Sequence, residues 1–391
     1  MNVNPVRNSR AQSTPEKKEI YNGIKFHIMF VLLICGVQYS AVAQKRAEEV
    51  LIYRGASDAS AAVAINENMF IVADDENNVL RVYGTDRPGM PLFSYDLTDF
   101  LGIESEHPEA DIEGATRVAE RIYWITSHGR NKDGQLRPNR YRFFATTVKA
   151  EDGNIIIRPV GLACKDLVHS LLKAKTMQHL GLDKATQFNA RKLSKKERQK
   201  LAPKEQGLNI EGLCASADGK TLYIGFRNPR PPLIKNLKFS LKALVVPLKN
   251  PDAVIESSAA PIFDEPMLWD LGGLGIRSME YSHFHKAYFI IAGSHDESSK
   301  SVLYRWSGRA DEPPKFVRDL HMLQKDFTPE ALVVFEKSNR LLMLSDDGSL
   351  PIKVTDDSEC MDGQLNKDGT CPNKFLADPD KKSFRAIWFT P

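Results

Sequence analysis

The chain has 391 residues, 42% of them hydrophobic and 26% charged, the balance of a folded globular protein with enough length for a large core. That balance excludes a disordered chain. A net charge of +3 is too small to mark a nucleic-acid binder, and a sequence pI of 8.4 singles out no class of partner.

At the N-terminus an apolar run from Ile28 to Val37 follows Lys25 and precedes Ala41-Val42-Ala43, a small-residue site of the kind signal peptidase cuts. The expected mature chain begins at Gln44, after cleavage behind Ala43, and is periplasmic or secreted. The run is too short to cross a ~30 Å hydrocarbon core, so no stable membrane anchor is expected. Ile34 before Cys35 also departs from a lipidation site. Export would place the remaining cysteines in an oxidising compartment. Cys360 and Cys371 bracket a turn-rich segment and are the expected disulfide; Cys164 and Cys214 are either a second pair or two buried free thiols.

Beyond the leader, 44–391 reads as one repeat domain. Asp111-Ile112-Glu113-Gly114 returns as Asn209-Ile210-Glu211-Gly212, and each copy opens a pair of short strands. Weaker copies start near Asp58, Arg277 and Thr328, a spacing of roughly 50 residues that fits a β-propeller, in which a blade buries its faces only against its neighbours. The expected fold is all-β: about five four-stranded blades, with a sixth possible only inside 212–278. The first four units each supply four strands, from Ala61 to Leu97, Ala115 to Val160, Gly212 to Leu271 and Ser278 to Leu320. The fifth supplies three, Ala331 to Phe335, Arg340 to Ser345 and Phe384 to Phe389; Glu49 to Arg54 is expected to complete it, so that the two ends of the chain close the ring and leave no open edge. Between units two and three, 165–204 carries 11 Lys or Arg against 3 Asp or Glu and a helical spacing of Leu167, Val168, Leu171 and Leu172. Ser194 to Glu197 matches a capping box, so this is a helical insertion, its charge either a solvated face or an electrostatic lid.

In an up-and-down blade the first strand starts on the rim where the second ends. The starts offer Asp58, Asp111, Glu113, Glu211, Glu280 and Glu330; the second-strand ends offer Asp74-Asp75, Ser127-His128-Gly129-Arg130, Arg227-Asn228, Ser294-His295-Asp296 and Ser345-Asp346-Asp347. Carboxylates converging on an axial channel make a hard-cation site with oxygen ligands, typically Ca²⁺, or a ring neutralised by arginines. Asp111, Glu113, Glu211 and Glu330 are the metal candidates; Arg130, Arg137, Arg140, Arg227 and Arg277, with His128 and His295, complete the candidate ligand set together with Glu280. Arginine forks bind carboxylate or phosphate through two hydrogen bonds, so a mixed rim suits a small anionic ligand, with a divalent metal as bridge. The chain has no GxSxG, HExxH, CxxC or GxxxxGK[ST] motif, which removes the usual acyl-transfer and nucleotide signatures. Three readings follow: a monomeric binding module for a small anion, a metal-dependent hydrolase of an anionic substrate, and a protein scaffold, which the charged rim disfavours.

The run DIEGATRVAERIYWITSHGRNKDGQLRPNRYRFFATTV, 111–148, and GLNIEGLCASADGKTLYIGFRNPRP, 207–231, resemble the bacterial propeller family catalogued only as domain of unknown function 3616, the likeness extending from about Glu48 to Phe389. The resemblance implies the propeller fold and transfers no reaction. More distantly, the AspXaaGluGly strand starts are similar to secreted phytase-like and esterase-like propellers, a likeness that implies calcium held by acidic residues.

Overall fold

A computed structural model describes residues 49–391 apart from 152–153, 189–192, 232–240, 296–299, 321–322 and 324–325. The leader at 28–43 lies outside the described residues. No described helix is long and apolar enough to cross a membrane.

The described strands form five antiparallel four-stranded sheets and one two-stranded ribbon. Blade 1 is Ala59–Asn66, Met69–Asp74, Val79–Gly84 and Phe93–Asp96; blade 2 is Ile112–Val118, Arg121–Thr126, Phe143–Glu151 and Asn154–Cys164. Blade 3 is Asn209–Ala215, Leu222–Asn228, Ala243–Leu248 and Met267–Trp269, and blade 4 is Gly275–Ser282, Ala287–Gly293, Ser301–Trp306 and Lys315–Asp319. Pro329–Val334, Leu341–Ser345 and Ser383–Phe389 make blade 5, whose outermost strand is Val50–Arg54, paired antiparallel so that Val50 faces Ile387 and Arg54 faces Ser383. The expected closure by the two ends is therefore present.

Each first strand packs against the first strands of both neighbouring blades, which closes the ring around an axis. The apolar core is divided to match: one cluster joins blades 5 and 1 through Tyr53, Phe70, Tyr83 and Phe384, and others fill the remaining gaps between blades. This explains the unbroken apolar runs such as Leu341–Ser345, since a strand covered on both faces shows no alternation. Glycine enables the tight inner ring at two places. A Cβ on Gly114 would lie 2.9 Å from Ile125 Cγ2, and one on Gly212 would lie 2.8 Å from Ile276 Cγ2.

The insertion forms short helices, Leu167–Lys173, Leu182–Thr186 and Lys195–Gln199, the last with the reciprocal Ser194–Glu197 capping box. Its apolar residues Leu167, Val168, Leu171 and Leu182 join the core between blades 2 and 3. A second excursion, 351–382, interrupts blade 5 between its second and third strands; it carries the ribbon Pro351–Lys353 with Thr370–Pro372 and the Cys360–Cys371 disulfide. Cys164 and Cys214 are free thiols, Cys214 buried and Cys164 half-buried.

Candidate metal and ligand site at the axial mouth

All five first strands carry a β-bulge at the same place. Pairing with the second strand shifts register between Ala59 and Ala61, Ile112 and Gly114, Ile210 and Gly212, Ile276 and Ser278, and Pro329 and Ala331. A bulge re-aims the extra residue. The five bulged residues are Ser60, Glu113, Glu211, Arg277 and Glu330, and they form the inner layer of the mouth. Oxygens of Glu113, Glu211 and Glu330 come within 4.8 Å of one another.

An outer layer comes from the residues just before the bulges and from the ends of the second strands. It adds Asp58, Asp75, Glu76, Asp111 and Asp346, and the eight carboxylates gather as overlapping triads: Asp58-Asp75-Glu76, Asp58-Glu330-Asp346, Asp75-Asp111-Glu113 and Glu113-Glu211-Glu330, the oxygens of each within 4.8 Å. Four basic side chains answer them. Arg140 Nη1 lies 2.9 Å from Asp111 Oδ2 and also holds Glu109; Arg227 Nη1 lies 2.6 Å from Glu211 Oε1. Arg277 pairs with Glu330 and lies 3.7 Å from Glu211 Oε2, while Lys374 Nζ, from the second excursion, lies 2.7 Å from Glu76 Oε1. Asp111 takes left-handed backbone, φ 62°, to enter the layer.

Several oxygens remain without a hydrogen-bond donor. Among the described residues no hydrogen bond reaches Asp75 Oδ1, Glu211 Oε2 or Glu330 Oε2, although each of these atoms is enclosed. Two carboxylates at 4.8 Å repel by about 3.5 kcal/mol at an effective dielectric of 20, so the triads require protons or cations. The carboxyls of Asp58, Asp75 and Glu113 are accordingly held well above the usual range, first by burial and then by neighbouring carboxylates. Glu330 is pushed up to about 7 by burial, against the pull of Arg277. Glu109 is likewise pushed up to about 7, by burial and by Asp111, against Arg140.

A family model described as a protein of unknown function, DUF3616, matches residues 58–349, a span that includes all five bulges, all eight carboxylates and the three arginines. The chain belongs to the DUF3616 family. Lys374 lies beyond the matched span. No curated protein matches the chain. Solved structures resemble the DUF3616 ring at the level of fold. An oxidoreductase described as a glucose dehydrogenase from Thermus thermophilus has a TM-score of 0.41 at 10% identity, with 88% of this chain and 100% of that one covered. A protein of unknown function from Bacteroides thetaiotaomicron scores 0.40 at 9% identity over 88% and 76%, and the PQQ-bound aldose sugar dehydrogenase from Streptomyces coelicolor 0.39 at 8% over 88% and 99%.

The DUF3616 mouth thus gathers Asp111, Glu113, Glu211, Glu330, Arg140, Arg227 and Arg277 from the sequence-based set, and places the others elsewhere. Glu280 corrects an expectation. It pairs with Phe289 far along the first strand of blade 4, and the position equivalent to Glu113 is Arg277. Glu280 instead lines a cavity of about 630 Å³ at the opposite mouth, with Arg117, Asp218 and His283. Arg130 is buried and donates to the carbonyls of Gly134, Thr186 and Gln187, so it fastens the helical insertion. The second strand of blade 2 ends at Thr126, and His128, at φ 51°, turns the chain away; in blade 3 the strand runs to Asn228 and keeps Arg227 at the mouth. The His128 ring is buried against Tyr141, and its Nδ1 lies 2.8 Å from the Thr126 carbonyl. Burial lowers its pKa to about 4, so it stays neutral near pH 7. Arg137 bonds to Gln135 within its own loop. His295 contributes its carbonyl to Arg227 Nη2 at 3.4 Å.

Glu76, Glu109 and Lys374 were not among the sequence-based candidates. Glu76 lies one residue past the rim pair Asp74-Asp75, a signal in plain view. Lys374 had none, since the excursion that delivers it shares no pattern with the repeats.

Proposed function

We propose that this DUF3616 member is an exported binding module that holds a divalent cation, Ca²⁺, among the carboxylates of its axial mouth and captures a small anionic molecule through it. The observation that carries the reading is the set of enclosed carboxylate oxygens on Asp75, Glu211 and Glu330 that no hydrogen bond reaches. An enclosed carboxylate oxygen left without a donor or a cation is costly. The triads offer only carboxylate oxygens, with neither histidine nor cysteine, a donor set for a hard cation. Calcium tolerates irregular oxygen shells better than magnesium, which demands near-octahedral geometry. A bound cation with open coordination positions recruits phosphate or carboxylate from solution. The Cys360–Cys371 disulfide supports export, because such bonds persist in oxidising compartments.

The test is calorimetric titration of Ca²⁺, Mg²⁺ and Mn²⁺ into chelator-treated protein, followed by inorganic phosphate with and without the bound cation. Calcium binding that falls at least tenfold in Asp75→Asn, and phosphate binding only in its presence, supports the reading. No heat and no thermal shift with any of the ions would sink it. Steady release of phosphate from a phosphate ester by the calcium-loaded protein would move the assignment from capture to hydrolysis.

A further inference from the structure

The four triads overlap. They form a closed circuit in which Asp58, Asp75, Glu113 and Glu330 each belong to two triads, while Glu76, Asp111, Glu211 and Asp346 each belong to one. They fall into two pairs with no shared residue, and one pair carries three basic contacts. In Asp58-Asp75-Glu76 the Lys374 ammonium sits 2.7 Å from Glu76; in Glu113-Glu211-Glu330 two guanidiniums converge, Arg227 on Glu211 and Arg277 on Glu330. The other two, Asp58-Glu330-Asp346 and Asp75-Asp111-Glu113, have no residue in common and face each other across the circuit. Arg140 on Asp111 and Arg277 on Glu330 are the basic groups paired within them, one to each.

We infer that the mouth holds two divalent cations at once, one in Asp58-Glu330-Asp346 and the other in Asp75-Asp111-Glu113. This rests on the cation reading above and deepens it. Each position contains side chains that point to a ligand independently of their acidity. Asp58 at 6% exposure and Glu113 at 8% accept no hydrogen bond on their carboxylates among the described residues, and Glu330, at 5%, gives one oxygen to Arg277 and leaves Oε2 enclosed and bare.

Charge decides between one ion and two. With every proton displaced by cation, eight carboxylates face Arg140, Arg227, Arg277 and Lys374, which leaves four negative charges uncompensated, or five with Glu109. A single divalent ion would leave the mouth with two or three negative charges, which weakens the hold on an anionic ligand without abolishing it. Two ions bring it to neutrality or within one charge of it, and an anion can then bridge them. Paired ions of this kind, roughly 3.5–4 Å apart, clamp both oxygens of a phosphoryl or carboxyl group, so the ligand class is a small molecule carrying phosphate or carboxylate.

Stoichiometry separates the possibilities. The full-length protein is stripped with chelator, dialysed and titrated with Ca²⁺ alone by calorimetry, and a second sample is loaded with Mn²⁺ for electron paramagnetic resonance. The expected result is two equivalents of calcium, with the manganese spectrum broadened by coupling between neighbouring ions at full loading. Asp346→Asn and Asp111→Asn should each reduce calcium to one equivalent. One equivalent in the unaltered protein overturns the pair and leaves the single-cation reading standing; none overturns both. Two equivalents that persist in both folded variants, or a manganese spectrum of isolated ions, place the ions elsewhere and overturn the pair. The unaltered protein alone decides the count, so a variant that fails to fold does not rescue the proposal.

Discussion

Blades 5, 1 and 2 and blades 3 and 4 are built on the same strand plan, yet they present opposite chemistry at the mouth. The first arc contributes Asp58, Asp75, Glu76, Asp111, Glu113, Glu330 and Asp346 with only Arg140 and Lys374 against them; the second contributes Arg227, Arg277 and the single carboxylate Glu211. In the arginine arc every charge is answered: Arg227 bonds Glu211 and the carbonyls of Ser294 and His295, and Arg277 reaches Glu211 and Glu330. In the acidic arc no direct ion pair reaches Asp58, Asp75 or Glu113 among the described residues; Lys374 and Arg140 act on them only from a distance. The bulge position, occupied by Glu in three blades, Arg in one and Ser in another, and the residues flanking it divide a ring of similar blades into a fastened side and a more acidic side.

The sharpest way to break this division is Arg277→Met. Removing one partner of a buried ion pair strands the other, so unfolding by denaturant should show a loss of about 3–5 kcal/mol. A loss of less than 1 kcal/mol would mean that the arginine arc fastens nothing. Next in size is removal of cation from the acidic arc: calcium at a hundred times its dissociation constant should stabilise the chelated protein by about 2.7 kcal/mol, and an unchanged melting temperature would erase the distinction between the arcs.

Acidity sharpens the same comparison. Glu330 and Glu109 hold their protons up to about 7 in the folded chain, against an ordinary 4.5. The folded state therefore binds more protons than the unfolded one across that window. Stability of the chelated protein should fall as pH rises from 4.5 through 7, and saturating calcium should flatten the slope. Denaturant midpoints along that pH series provide the check. The smallest effect is expected from Glu280→Gln at the far mouth, where burial already favours the neutral acid: calcium affinity should stay within error of the unaltered protein, and a tenfold loss would join the two mouths into one site.

Much of this was legible before any coordinates. The Asp-Ile-Glu-Gly and Asn-Ile-Glu-Gly copies located two bulges, and the short fifth unit announced that Val50–Arg54 completes it. The copy beginning near Arg277 was misaligned by three residues at its functional position, because Glu280 offered the same side chain as Glu113. Register in a bulged strand is set by pairing with the second strand, which the linear pattern does not carry. Arg130 was misplaced for a related reason: two residues after a strand, His128 in left-handed backbone redirected everything that followed. Lys374 reached the mouth from an excursion outside the repeat, so its arrival depended on tertiary folding alone.

The seam in blade 5 has a mechanical meaning. Val50 pairs with Ile387 and Arg54 with Ser383, so the first strand's beginning and the last strand's end lie side by side. Tension drawn through the two ends of the chain would load these pairs one after another from the same end, in the manner of a zipper opened from its tab. Sliding the strands along each other would instead strain all the pairs together. Force applied through the ends would open the ring along this seam, beginning at Val50 and Ile387.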